Sequence, residues 1–228
     1  MKIRNKIISL FASAAIITCA AGTNVLAQAK NFAGPSLAVT GGKISSTTKV
    51  NYNDGAGGSA EAHVADIGGN DVGFGLDLSY AFAIDNNFLI GLGFTYGLND
   101  TDAGTVASIL KFKIEDQRSV YIQPTYVFNN SFAAFGKLGY HEMDGKATLT
   151  QNLFINNQNY GLAAGSLSAE FKGIGYGFGL KGLINQNAYI QAEVQYVDYD
   201  SEGGGSANNV GSFKPETVSG IISIGYKF

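Results

Sequence analysis

A chain of 228 residues with a net charge of −3, 31 glycines and a single cysteine leaves out several classes at once. The acidic balance offers no basic footprint for nucleic acid. One cysteine cannot build an internal disulfide or a thiolate metal site, and the length suits one domain.

The N-terminus comes first. Lys2, Arg4 and Lys6 form a positive stretch, and residues 7–21 are almost all apolar. That run is short for a membrane helix and is flanked like a secretory leader. Val25 and Ala27 place small residues before a cleavage point after Ala27, with Ala29 as a second choice. Cys19 offers a rival reading as a lipoprotein cysteine, but Thr18 is a poor residue before it. The expected division is a signal peptide, 1–27, and one domain, 28–228. Losing the leader removes three positive charges and no acidic one, so the mature charge goes from −3 to −6. The remainder has no apolar run long enough for a spanning helix.

Beyond the leader the period is two, the period of strands. Strand 1 includes Leu37, Val39 and Gly41. In strand 2, Val72, Phe74, Leu76, Leu78, Tyr80, Phe82 and Ile84 alternate with Gly73, Gly75, Asp77, Ser79, Ala81 and Ala83. Strand 3 carries Phe88, Ile90, Leu92, Phe94 and Tyr96; strand 4 carries Val120, Ile122, Pro124, Tyr126 and Phe128. Pro124 loses a ladder bond, so a local bulge is expected there. Strand 5 sets Phe132, Ala134, Leu138 and Tyr140 against Phe135, Lys137, Gly139 and His141. Strand 6 sets Ile174, Tyr176, Phe178, Leu180 and Ile184 against glycines and Lys181; strand 7 sets Ile190, Ala192, Val194 and Tyr196 against Tyr189, Gln191, Glu193 and Gln195. Strand 8 runs to the C-terminus, with Ile222, Ile224, Tyr226 and Phe228 on one face and Ser219, Ser223, Gly225 and Lys227 on the other.

In every strand the bulky apolar residues share one face, and the other is small, polar or singly charged. A soluble sandwich would bury its bulky face and put charges outside. Lipid outside a narrow barrel demands the arrangement seen here. Three polar turns, at 85–87, 129–131 and 185–187, belong on one side of the membrane. Longer connections, at 46–70, 99–118, 143–170 and 198–216, belong on the other. The fold expected is all-β: a closed, eight-stranded, antiparallel, up-and-down transmembrane β-barrel.

SVYIQPTYVF, FAAFGKLGY and KGIGYGFGLKGLINQNAYIQAEVQYVDY, together with the aromatic C-terminus, resemble the small outer-membrane β-barrel family that includes OmpA- and OmpX-type barrels and the opacity-type surface antigens. The resemblance implies residence in the bacterial outer membrane and contact with its lipid. It also implies recognition by the barrel assembly machinery through Ile224, Tyr226 and Phe228, with Ser223 where a glycine is usual. It implies a non-enzymatic surface or structural role, with loops that meet surface partners, no cofactor and no appended peptidoglycan-binding domain. A narrow porin-like channel is the alternative.

Candidate chemistry is sparse. Asp77, Lys137, Lys181 and Glu193 fall on lumen faces at similar heights above their turns, given a rise of about 3.4 Å per residue. They read as a structural charge network, or else as a gate in an ion path. His141, with Glu142, Asp144 and the distant Ser166 and Ser168, is the set a lipid-modifying enzyme would need. His63 reads as a solvated loop residue. Gly177, Gly179 and Gly182 match GxGxxG by letter, but a period-two strand runs through them, so nucleotide binding is rejected; such glycines make room for lumen side chains. Asn99–Thr101 spells a glycosylation sequon, of little meaning here. Leu110, Phe112 and Ile114 alternate with Lys111, Lys113 and Glu115, which extends strand 4 above the membrane. That ribbon is either paired within its own hairpin or open to a partner strand.

Overall fold

The computed structural model describes residues 29–52, 62–106, 110–149, 154–155, 158–159, 165–203 and 212–228. The leader, its cleavage point and much of the loop sequence lie outside them. A 3-10 turn, Ala29–Phe32, opens the chain. It is followed by β1 (Gly34–Tyr52), β2 (Ala62–Ala83), β3 (Phe88–Gly97), β4 (Thr101–Val106), β5 (Leu110–Val127) and β6 (Phe132–Leu149). A small pair, β7 (Phe154–Ile155) and β8 (Gln158–Asn159), precedes β9 (Gly165–Leu183), β10 (Ala188–Tyr199), β11 (Glu202–Gly203) and β12 (Ser212–Lys227).

Eight strands, β1, β2, β3, β5, β6, β9, β10 and β12, pair in that order, and β12 pairs back onto β1 from Ser36↔Lys227 to Val50↔Phe213. Each pairing is antiparallel. This is the closed barrel that lipid requires, because a free edge would leave amides without partners.

The three short turns are built alike. Asp85 Oδ1 accepts the N–H groups of Asn87 and Phe88 at 2.7 and 2.9 Å. Asn129 Oδ1 accepts those of Ser131 and Phe132, both at 2.9 Å, and Asn185 Oδ1 those of Asn187 and Ala188 at 2.9 and 2.7 Å. A short Asx side chain takes the place of a backbone acceptor, which is why these residues stand at turns.

The outward face is apolar from Val72 to Ile84 on β2 and its continuation, and from Ile222 to Phe228 at the C-terminus; the large side chains there are exposed. Just above this band, on the side away from the short turns, charges point outward. Arg118 Nε meets Glu142 at 2.7 Å, Lys172 meets Glu170 at 2.8 Å, Lys214 meets Asp198 at 3.0 Å, and Lys49 pairs with Glu216. Exposed pairs of this kind contribute little stability, but they mark where lipid ends.

The strands do not end there. β1, β2, β5, β6 and β9 run for 19, 22, 18, 18 and 19 residues, against roughly 9–11 needed to cross a membrane. The long loops expected at 46–70 and 143–170 are therefore largely strand. The wall continues above the lipid as a collar. His63 falls within β2, its backbone opposite Asn51, rather than in a loop. The Leu110–Ile114 extension pairs with β4 on one side and β6 on the other.

Pro124 causes no bulge. The register Ile122↔Leu138 is the same on its far side at Thr125↔Phe135, and Gly136 opposite leaves room for the ring. The irregularity in β5 lies instead between Glu115 and Arg118, where Asp116 has φ +48°.

One seam of the collar is packed rather than laddered. The β2–β3 register stops at Gly75↔Gly97, and β4 pairs with β5. Asn99 and Asp71 bridge the seam: Asn99 Oδ1 accepts the Phe74 N–H and Asp71 Oδ2 accepts the Asp102 N–H. β4 tucks behind β2 so closely that a Cβ on Gly69 would lie 2.3 Å from the Ala103 carbonyl carbon. Only glycine permits that approach.

Candidate functional site in the barrel lumen

The lumen is filled in layers. At the short-turn end the Ala29–Phe32 turn folds into the mouth, and its first amide donates to Asn86 O at 2.8 Å. Ala29 and Phe32 pack there on Leu89, Val127 and Ala133. Leu89 and Val127 are bulky members of an otherwise small face, and with the turn's Phe32 they form an apolar stopper.

The middle layer is polar. Lys137 Nζ lies 2.7 Å from Glu193 Oε2 and 3.9 Å from Asp77 Oδ2, and all three side chains are buried. Tyr121 donates its hydroxyl to the Asp77 carboxylate at 2.8 Å, and its ring lies 4.3 Å under the Lys137 ammonium. Gln191 and Gln195 donate to the two oxygens of Glu193 at 3.4 and 3.3 Å. The ions have exchanged water for each other and for amide and phenol donors, the condition under which burial of charge is tolerated.

Of the four lumen charges expected to meet, Asp77, Lys137 and Glu193 do so. Lys181 does not: among the described residues it makes no ion pair, and its ammonium sits 4.4 Å from the centroid of the Tyr189 ring. It pairs in register with Ala133 and Gln191, whereas Lys137 lies opposite Gly177 and Glu193 opposite Gly179. Counting up from each turn ignores the stagger that barrel closure imposes between strands, and that stagger drops Lys181 a layer.

Tyr121, Phe135 and Tyr189 complete the packing, and the sequence reading gave them no role. Each ring crosses to a lumen-facing glycine on the next strand: Gly93 opposite Tyr121, Gly179 opposite Phe135, Gly225 opposite Tyr189. A Cβ on those glycines would lie 2.3, 2.5 and 2.2 Å from the ring. The signal was present as large aromatics on a face otherwise made of glycine and small polar residues.

Above the charged layer is a chamber of about 110 Å³, reached by Thr40, Thr95, Gln117 and His141. His141 is buried, and among the described residues its Nε2 has no hydrogen-bond partner. The grouping that a hydrolase would need is not formed. His141 faces the lumen opposite Gly173, Glu142 points outward to Arg118, and Ser166 and Ser168 are exposed farther up β9. Among the described residues no group of three His, Cys, Asp or Glu side chains could hold a metal ion.

In the collar the lining changes character. Ala103, Phe112, Ile114, Met143, Phe171, Val197 and Tyr199 form a buried apolar cluster. Burial raises the Tyr199 phenol well above its ordinary value. At the seam, backbone donors from Asp102 and Val72 hold the Asp71 carboxyl below the usual range. On the outer wall, the hydrogen bond from Lys172 lowers Glu170.

A family model described as an outer membrane protein beta-barrel domain matches residues 11–228. No curated protein matches the chain at a significant level. Among solved structures, Ail, the attachment invasion locus protein of Yersinia pestis, is 18% identical with a TM-score of 0.46, over 86% of this chain and 99% of that one. OprG of Pseudomonas aeruginosa is 17% identical with a TM-score of 0.49, over 90% and 99%. The outer membrane protease OmpT from Escherichia coli is 10% identical with a TM-score of 0.46, over 86% and 97%. At such values none of the three carries an activity or a partner over to this chain.

Proposed function

The chain belongs to the outer membrane protein β-barrel family and lies in the bacterial outer membrane; on that premise we propose that it is a non-enzymatic surface protein whose raised collar presents loops to extracellular partners. One observation carries the reading: the wall continues far above the lipid band with an apolar core of its own. Strands needed only to cross a membrane would stop at the ring of ion pairs. Ordering a further stretch of chain costs about 1–2 kcal/mol per residue in backbone entropy, and burial of Phe112, Met143 and Phe171 offsets it. The result is a support that carries the strand ends away from the membrane.

The lumen, blocked by packed layers on either side of the chamber, supports the same reading over a channel. The stopper, the Lys137–Glu193–Asp77 layer and the collar core stand in series along the axis, and we assign the charged layer a structural role. Residues 1–27 act as the secretory leader, and Ile224, Tyr226 and Phe228 serve recognition by the assembly machinery. Tyr226 and Phe228 stack edge to face at 5.1 Å on the lipid side.

The test uses cells carrying the full chain and cells in which residues 150–164 and 204–211 are replaced by short Gly-Ser linkers. Both proteins are checked for the mobility shift between unboiled and boiled detergent samples. Loss of adherence to host-cell or matrix surfaces with the shift intact supports the proposal. Unchanged adherence, together with unit conductance in planar bilayers that Glu193→Gln alters, overturns it in favour of a narrow channel.

A further inference from the structure

The collar core is not filled. A recess of about 50 Å³ lies inside it, lined by Phe112, Met143, Phe171 and Phe213 and, farther from the membrane, by Ala147 and Ala169. On a scale where roughly 10–15 Å³ admits one water-sized body, this space takes several linked carbons. Its lining is almost wholly hydrocarbon, so water entering it would find few partners.

Local sequence keeps the space open. Gly145 has no Cβ, and one placed there would lie 2.5 Å from Cε2 of Phe171. The Phe171 ring therefore lies flat against β6 instead of projecting into the cavity. Alanines stand at 147 and 169, where a leucine would fill the space. Two alanines and one flattened ring thus leave a recess in an otherwise packed apolar cluster. Met143, buried on β6, supplies a wall that adapts to different guests because its chain is unbranched and polarisable. Exposed Lys113 on β5 is also part of the lining, which places an edge of the cavity at solvent. The lining begins at the height of the ion pairs that end the lipid band, with Phe171 between Glu170 and Lys172 and Pro215 between Lys214 and Glu216, and it lies on the inner face of the wall, away from acyl chains, so the guest comes from the medium.

We infer that the collar binds one small apolar molecule, a single aromatic ring or a short hydrocarbon, from the extracellular side. The site is separate from the charged layer of the lumen and does not depend on the adhesive role of the loops.

The chain has two methionines, Met1 and Met143, so the processed protein carries one methionine methyl, and it faces the cavity. Protein labelled with ¹³C at that methyl and held in lipid nanodiscs is titrated with benzene. The expected result is a saturable shift of the Met143 resonance with a nuclear Overhauser effect from benzene protons to the methyl. Ala147→Leu and, separately, Ala169→Leu, each checked for the mobility shift on boiling, lose both signals. A shift that grows linearly to the solubility limit with no Overhauser effect overturns the inference, as does a saturable shift that persists unchanged in a folded filled variant. The Overhauser measurement on the unaltered protein decides the matter even if neither variant folds.

Discussion

The two halves of this barrel are lined in opposite senses. In the lipid band the bulky side chains of β2, β3, β5, β9 and β12 face outward, and the lumen holds Asp77, Lys137, Glu193 and polar neighbours. In the collar the outward positions carry Arg118, Glu142, Glu170, Lys172 and Lys214, and the inside is Phe112, Ile114, Met143 and Phe171. The same strands run through both. The switch shows that strand pairing sets the wall, while the solvent at each height sets which face is greasy.

The comparison can be broken from either side. In the lower half, Glu193→Ala leaves Lys137 buried without its nearest counter-ion. It should cost about 3–5 kcal/mol, read by urea unfolding from lipid vesicles, and pairing Glu193→Leu with Lys137→Met should recover most of the loss. In the upper half, Phe171→Ala should cost about 3–5 kcal/mol by the usual measure of a lost core ring. That cost should appear locally, as faster amide exchange in residues 143–147 with the mobility shift on boiling retained, because sub-global opening leaves the lower barrel closed.

The sharpest contrast uses one substitution at two heights. Arginine at Leu78, exposed on the lipid face, should destabilise by about 2–4 kcal/mol. At Ser168, exposed on the collar wall, it should change stability by less than about 0.5 kcal/mol. The smallest effect is at the seam. The Asp71 carboxyl is held below its ordinary value, chiefly by the Asp102 amide and then by that of Val72. The clasp is therefore fully present above the ordinary carboxylate pKa and is lost as pH falls through the lowered one. Exchange of the Asp102 amide, corrected for intrinsic pH dependence, should be unchanged from pH 7 to 5 and quicken below about pH 4. Screening keeps this effect small, since Asp71 is only partly buried.

How much the sequence revealed follows the same division. The lipid band was legible because lipid forces alternation: Val72 to Ile84 and Ile222 to Phe228 could be assigned to faces by eye. The collar was read as loop at 46–52, 62–70, 143–149 and 165–170 because neither of its faces is uniformly bulky there. Along β6 and β9 outward charges and serines alternate with inward Met143, Gly145, Ala147 and Ala169, and period two fades although the pairing of these two strands continues. Leu110, Phe112 and Ile114 were the exception, being large on one face. In the lumen, charge on a small face was enough to find Asp77, Lys137 and Glu193. Lys181 was misplaced because inter-strand stagger cannot be read from one strand at a time. Tyr121 went unremarked as a partner because its bond to Asp77 spans strands that are far apart in the chain.

The three Asx turns carry a consequence for how the barrel forms. Each sets the register of its hairpin within a few residues: Ile84 N–H to Phe88 O, Phe128 N–H to Phe132 O, Ile184 N–H to Ala188 O. β2–β3, β5–β6 and β9–β10 can therefore zip from the turn outward in microseconds, before any distant part of the chain is found. The β1–β12 junction has no such start. Joining Ser36 to Lys227 must wait for nearly the whole chain to come round, and closing so long a loop is the entropically costly event. The rate of assembly is thus set at a single zipper between the two ends of the polypeptide, and a mutation at Ser36, Leu37 or Lys227 should slow folding far more than the same change beside any of the three turns.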